Sequence, residues 1–281
     1  MPVSSQLTAV GFALAAVAAW GTSDFAGGYA VRRANAFLLT AIAHASGALL
    51  MLSLAWGQHA QFPDRVSVGW AVAAGASGGV ALAIFYRALA EGSMGLIAPV
   101  AAVLSATIPV LFGIMIEGWP GVLPVLGFLL ASLGIWLISR AEDGGRPKGL
   151  WPAVVAGLGF AGFYLCVREA GDGSALWIAA LSRVAALAFT GTIVLIQGRF
   201  REITLPGIGW GVFAGCVDVT GTVFFVRASQ TGRLDTAVVI SSLYPAVTVL
   251  LARLILREHF SRWKAVGMFA ALVAVPLVAM R

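Results

Sequence analysis

Apolar residues run through this chain in long unbroken stretches, rich in Ala, Leu and Gly, with short polar connections between them. A helix needs about 20 such residues to cross a bilayer. The stretches fall at residues 6–30, 36–56, 67–90, 93–116, 121–139, 150–169, 174–197, 207–229, 235–256 and 264–280, which predicts ten transmembrane helices. A closed barrel is the other way to satisfy backbone groups in lipid, but it needs alternating polar and apolar positions, which these runs lack. The predicted fold is an all-α polytopic membrane protein whose connections are too short to hold a separate soluble domain. The first run is counted as a membrane helix rather than a signal peptide, because it has neither a basic leading stretch nor a convincing cleavage site.

The pattern occurs twice. Trp70, Gly75, Phe85, Arg87, Ala88 and Gly92 return 140 residues later as Trp210, Gly215, Phe225, Arg227, Ala228 and Gly232. Gly127 matches Gly267 at the same offset, Ala43-His44-Ala45 aligns with Ser182-Arg183-Val184 at 139, and Val31-Arg32-Arg33-Ala34 with Val167-Arg168-Glu169-Ala170 at 136. Two units follow, residues 1–145 and 146–281, each with five helices, within one integrated membrane domain. Five is odd, so the second unit enters the membrane in the opposite sense. Inverted repeats of this kind are a mark of secondary transporters, with the substrate site near the midplane between the halves.

Composition agrees: 60% of residues are hydrophobic and 11% charged, with a mean hydropathy of +0.94, where soluble domains carry about 25% charged residues. A net charge of +6 does not point to nucleic acid, because basic residues flank membrane helices and orient them. The loops after odd-numbered segments hold Arg32, Arg33, Arg140, Arg146, Lys148, Arg199, Arg201, Arg257, Arg262 and Lys264, against Arg65, Arg168, Arg233 and Arg281 on the other side. That bias predicts termini outside the cell in an inner (plasma) membrane protein. Cys166 and Cys216 lie inside apolar segments and behave as small apolar residues. No Gly-rich phosphate loop is present, and His44, His59 and His259 lack metal-ligand spacing. No cofactor or metal is expected.

In order along the chain, Trp20-Gly21, Phe85-Tyr86-Arg87-Ala88-Leu89, the run from Ala98-Pro99 to Glu117-Gly118, Ser242-Leu243-Tyr244-Pro245 followed by Glu258, and the glycines from Gly127 to Gly134 and at Gly267 resemble the EamA-like family of the drug/metabolite transporter superfamily. The resemblance covers essentially the whole chain. It implies ten-helix carriers of small metabolites, often amino acids, with a central cavity lined mainly by helices one, three, four, six, eight and nine. It also implies cytoplasmic termini, against the charge bias. An arginine early in helices two and seven is common in the family; Arg183 fits, but the first half has His44.

Ionisable groups inside apolar runs are costly, about 2.5–3.5 kcal/mol on insertion scales, and usually face a bundle interior or wet cavity. Asp24 lies four residues after Trp20, on the same helical face. It is read either as a ligand for a substrate ammonium or a proton carrier, or as an interfacial carboxylate near the helix end paired with Arg32, Arg33 or a neighbouring helix. Asp218 sits mid-segment where its repeat counterpart is Gly78, which favours a cavity role over a structural ion pair. Arg183 and His44 hold equivalent places, as gate or counter-charge to Asp218 or Asp24, or as packing groups bonded to a backbone carbonyl. Arg87, Arg227, Arg253 and Arg257 read as snorkelling side chains at helix ends.

Ser241, Ser242 and Tyr244 precede Pro245, which removes a backbone donor. Freed carbonyls and hydroxyls there suit either a substrate site or a plain kink. Pro99 and Pro109 are expected to interrupt helix four in the same way, with Ser105 and Thr107 nearby. Trp20, Tyr86 and Tyr164 either stack on a cationic or aromatic substrate or pack the bundle. The predicted function is a secondary transporter, exporter or uniporter, of small metabolites such as amino acids or related amphipathic compounds. It works by alternating access, with proton coupling as an option. The protein sits in the lipid bilayer as a monomer or homodimer. The alternatives are a passive facilitator, a lipid flippase, or an intramembrane lipid-processing enzyme, for which Ser242 lacks an identifiable base.

Overall fold

The computed structural model of the protein describes residues 3–32, 34–91, 94–139, 149–198, 205–257 and 261–279. Arg33, Gly92, Arg140, Arg146, Lys148, Arg199, Arg201, Glu258, His259 and Arg281, all used in the sequence reading, lie outside them. The described chain forms eleven helices: α1 (Val3–Val31), α2 (Ala36–Gly57), α3 (Arg65–Glu91), α4 (Met94–Glu117), α5 (Val122–Ser139), α6 (Leu150–Glu169), α7 (Ala175–Gln197), α8 (Leu205–Thr231), α9 (Leu234–Ser241), α10 (Tyr244–Leu256) and α11 (Arg262–Ala279). Eight stretches are long and apolar enough to cross a membrane, with α9 and α10 counting as one, and Val122–Leu137 is a shorter apolar helix. The protein is an integral multi-pass membrane protein.

The ninth apolar run is two helices rather than one. Pro245 has no N–H, so the Ser241 carbonyl loses its helical donor. The chain turns over Ser242 and Leu243, with Leu243 N donating to Ile240 O at 3.0 Å and Ala246 N to Leu243 O at 2.9 Å. In α4 the expectation fails, since the helix runs unbroken through Pro99 and Pro109. Membrane helices absorb proline when hydroxyls and neighbours serve the local backbone. Pro109 removes the donor to the Ser105 carbonyl, and the nearby hydroxyls bond other carbonyls, Ser105 Oγ donating to Ala102 O at 3.0 Å and Thr107 Oγ1 to Val103 O at 2.7 Å. Asp64 caps α3 by accepting from Ser67 N at 2.8 Å. That bond holds its carboxyl below the usual carboxylate range.

Packing inside the bundle is made by small residues, while large apolar side chains such as Met115, Leu129, Ile196 and Phe269 face outward. Without a hydrophobic drive between helices in lipid, close backbone approach supplies the contact. The contacts come in matched pairs. Helix α1 packs along α8 as α3 packs along α6, and α2 packs on α8 as α3 packs on α7. A Cβ at Gly75 would overlap the Ser182 carbonyl and Ala185 Cβ; at Gly215 it would overlap the Ala43 carbonyl and Ser46 Oγ, the equivalent atoms of the other half. Gly21 lies on Tyr244 and Val247 as Gly157 lies on Ala101 and Leu104. At one place the small partner changes sides, with Gly79 against Ala186 in one pair and Val219 against Gly47 in the other.

Equivalent helices also run in opposite directions. Leu38 and Ala41 near the start of α2 cluster with Val194 near the end of α7. Met51 and Ala55, near the end of α2, meet Trp177 and Ala180 near the start of α7. Helices α1 and α8 are likewise antiparallel, Phe12 stacking on Phe224 and Tyr29 meeting Trp210.

Candidate functional site

Where α1, α3, α6, α7, α8 and α10 approach one another they line a partly open cavity of about 50 Å³. Trp20 and Asp24 reach it from α1, Gly78 and Leu82 from α3, and Phe160, Phe163 and Tyr164 from α6. Arg183 comes from α7, Asp218 and Thr222 from α8, and Tyr244 from α10. Glycine makes the room: the Trp20 indole occupies the space that a Cβ on Gly221 would need. Its Nε1 donates to the Asp218 carbonyl at 3.1 Å, and its ring centroid is 5.9 Å from Tyr164 and 5.5 Å from Phe225. A volume this small holds a few waters at about 10–15 Å³ each.

The charges are unevenly paired. Arg183 Nη2 lies 2.7 Å from Asp218 Oδ2 and donates to Thr222 Oγ1 at 2.5 Å. Its Nε is buried without a hydrogen-bond partner. Asp24 is 5% exposed and has no hydrogen bond or ion pair to any described residue; its pairing with Arg32 does not form. A lone ion taken out of water costs several kcal/mol even after relaxation. His44 is fully buried within electrostatic reach of Arg183, with Nε2 3.4 Å from the Gly79 carbonyl and Nδ1 unpartnered. Equivalent residues therefore meet equivalent helices, His44 reaching α3 and Arg183 reaching α8. Gly78 and Asp218, equivalent in the repeat, line the same cavity.

The sequence candidates divide in two. Trp20, Asp24, Tyr164, Arg183, Asp218 and Tyr244 line the cavity; His44, Tyr86, Ser105, Ser241 and Ser242 stand behind it. The Tyr86 ring fills the space beside Gly27, and its hydroxyl bonds Ser23 Oγ at 3.0 Å. Ser241 and Ser242 hydroxyls are buried without partners, and Tyr244 donates weakly to Ala98 O at 3.5 Å. The family pattern put helix four on the wall, whereas α7 contributes through Arg183 and the α4 hydroxyl of Ser105 lies behind. Arg87 is exposed and pairs with Glu91 at 2.7 Å, and Arg227, Arg253 and Arg257 are exposed.

Two features escaped the sequence reading. Phe160 and Phe163 join Tyr164 at helical spacing on one face of α6, a pattern that periodicity could have flagged. The second is a charge cluster some way from the cavity. Arg233 bonds Asp235 Oδ2 at 2.6 Å and the carbonyls of Glu117 and Gly118 at 2.9 and 2.8 Å. Glu117 also takes an ion pair from Arg168. Thr236 links the cluster to the start of α1 by accepting from Gln6 Nε2 at 3.3 Å.

A helical membrane bundle built of two matched halves, with a charged and aromatic cavity where they meet, is the architecture of a carrier. Residues 7–140 and 147–280 each match the model of the EamA-like transporter family, and the chain belongs to that family. Its members are membrane transporters of the drug/metabolite kind. No curated protein matches the chain. Among solved structures 28 chains match. One, a crystal structure of a protein, is 16% identical over 97% of this chain and 98% of its own, with a TM-score of 0.75. It shares the fold.

Proposed function

We propose that the protein is a secondary transporter of small metabolites, amino acids or related amphipathic compounds, working by alternating access about the cavity between its halves. On this reading ten helices cross the inner (plasma) membrane as two inverted five-helix units, residues 1–145 and 146–281. The observation that carries it is Asp24, a buried carboxylate without a partner among the described residues, facing a cavity that both halves line. Asp24 lies seven residues before the end of α1 at Val31, about 10 Å inside that end of the helix at 1.5 Å per residue. Charge inside the membrane at that depth serves substrate or proton.

Alternating access needs ties between the halves that can part. Glu117 belongs to the first half, while Arg168, Arg233 and Asp235 belong to the second. Their cluster holds one end of the bundle together, and opening that end separates it. The test is flux into vesicles carrying the purified protein, with labelled amino acids and amines as substrates. Saturable uptake that falls in Asp218→Asn supports the reading. No uptake above empty vesicles for any of them removes it.

A further inference from the structure

The cavity carries an imbalance of charge that defines what neutralises it. Arg183 is engaged twice, by Asp218 at 2.7 Å and Thr222 at 2.5 Å, so that pair is neutral as a unit. Asp24 is left over, 95% buried by its 5% exposure, on the wall and without a partner among the described residues. No lysine or further arginine lines the cavity among the described residues. The walls around Asp24 are aromatic: Trp20 one turn earlier on the same helix, Phe160, Phe163 and Tyr164 on α6, and Tyr244 on α10. Aromatic faces attract cations, more so when desolvated.

A zwitterion fits this set poorly. Its ammonium would meet Asp24, but its carboxylate would be a third negative charge against a single Arg183 whose charge Asp218 already balances, with only unbonded donors such as Nε to receive it. A group with one positive charge and an apolar body leaves no charge unmatched. Resting on the transport reading above, we infer that the cavity takes an organic monocation, an aromatic or branched amine or quaternary ammonium, with its nitrogen on the Asp24 carboxylate and its body among Trp20, Phe163 and Tyr164. A proton is the alternative occupant of Asp24, so substrate and proton exclude each other. The other groups facing Asp24 are Asp218 and Thr222 from α8, Arg183 from α7, Tyr164 from α6, Tyr244 from α10 and Tyr86 from α3, with His44 of α2 within electrostatic reach of Arg183. Asp24 is the one carboxylate among them without a bonded cation.

The probe is tritiated benzyltrimethylammonium, which is permanently charged, compared with tritiated phenylalanine, a zwitterion with a similar ring. Equilibrium binding to the full-length purified protein is measured between pH 5 and 8, with uptake into vesicles alongside. The inference expects saturable benzyltrimethylammonium binding that weakens as pH falls, is retained in Asp24→Glu, and drops at least about thirty-fold in Asp24→Asn. The pH series on the unmutated protein keeps the test valid if the asparagine variant does not fold. Phenylalanine binding and uptake without benzyltrimethylammonium binding would overturn the monocation while leaving the transport reading intact. Benzyltrimethylammonium binding that ignores both pH and Asp24→Asn overturns the assignment of Asp24. Failure of both probes to bind or move counts against both readings.

Discussion

Arg183 and Asp218 form a buried ion pair at 2.7 Å that joins α7 to the middle of α8 on the cavity wall. Both side chains are under 10% exposed. Their equivalents in the other half are His44 and Gly78, which form no such pair. The duplication therefore built a symmetric frame around an asymmetric centre, and the asymmetry is where charge enters.

Breaking that pair leaves one buried charge alone, which costs about 3–5 kcal/mol, whereas removing both partners together is often close to neutral. Arg183→Met and Asp218→Asn each lower the thermal unfolding temperature in detergent, and Arg183→Met with Asp218→Leu recovers most of the loss. Additive losses in the double variant, followed by fluorescence-detected gel filtration after heating, would show that the pair is not coupled.

The matched glycines give a symmetric prediction. Gly75→Ala and Gly215→Ala each force a methyl into the backbone carbonyl of the facing helix, an overpacking of about 1–3 kcal/mol. Gly11, with nothing near its Cβ position, gains up to about 1 kcal/mol on conversion to Ala. Urea or heat denaturation of the three variants distinguishes them; a Gly75→Ala protein as stable as Gly11→Ala contradicts the packing.

Much of the frame is legible in the sequence because it depends on one-dimensional signals. Twenty-residue apolar runs announce helices, and Trp70 and Trp210, with the glycines after them, announce the duplication. Asp24 and Asp218 stand out because ionisable groups are rare in such runs. What they pair with is not legible, since it depends on the rotation of α7 against α8. That rotation gives Asp218 to Arg183 and leaves Asp24 alone. The break at Ser242–Leu243 and the continuity of α4 arise from the same residue type, proline. The proline alone does not decide which outcome follows, and periodicity does not see the tertiary neighbours around it. The Glu117 cluster was hidden for another reason: charges at helix ends read as solvated, whereas Asp235 is fully buried, bonded by Arg233 and packed against Gly113 of α4.

That cluster predicts a change in access. With Cys166 and Cys216 replaced by Ala, a cysteine at Thr236, which is 2% exposed, reacts slowly with a membrane-impermeant maleimide. Adding Glu117→Gln removes the charge that Arg168 and Arg233 share, and labelling then rises several-fold as that end opens. Equal labelling rates in the two backgrounds would mean that the cluster does not hold the end shut.

Pro245 offers a further check on the role of the broken helix. Pro245→Ala restores the missing donor to Ser241 O, so α9 and α10 join and helix content stays constant or rises slightly. Transport slows if the turn serves the motion of Tyr244 on the cavity wall. Initial rates and circular dichroism on the same preparation decide this, with unchanged rates assigning the break to packing alone.

Alternating access about one shared cavity makes a demand that neither a channel nor an enzyme meets: unlabelled substrate on the far side must speed entry of labelled substrate. The decisive measurement is counterflow in vesicles preloaded with the transported compound. Labelled compound should accumulate transiently above its equilibrium level, faster than into unloaded vesicles, and the overshoot should vanish in Asp24→Asn. Entry that is linear in concentration and indifferent to preloading would contradict the account.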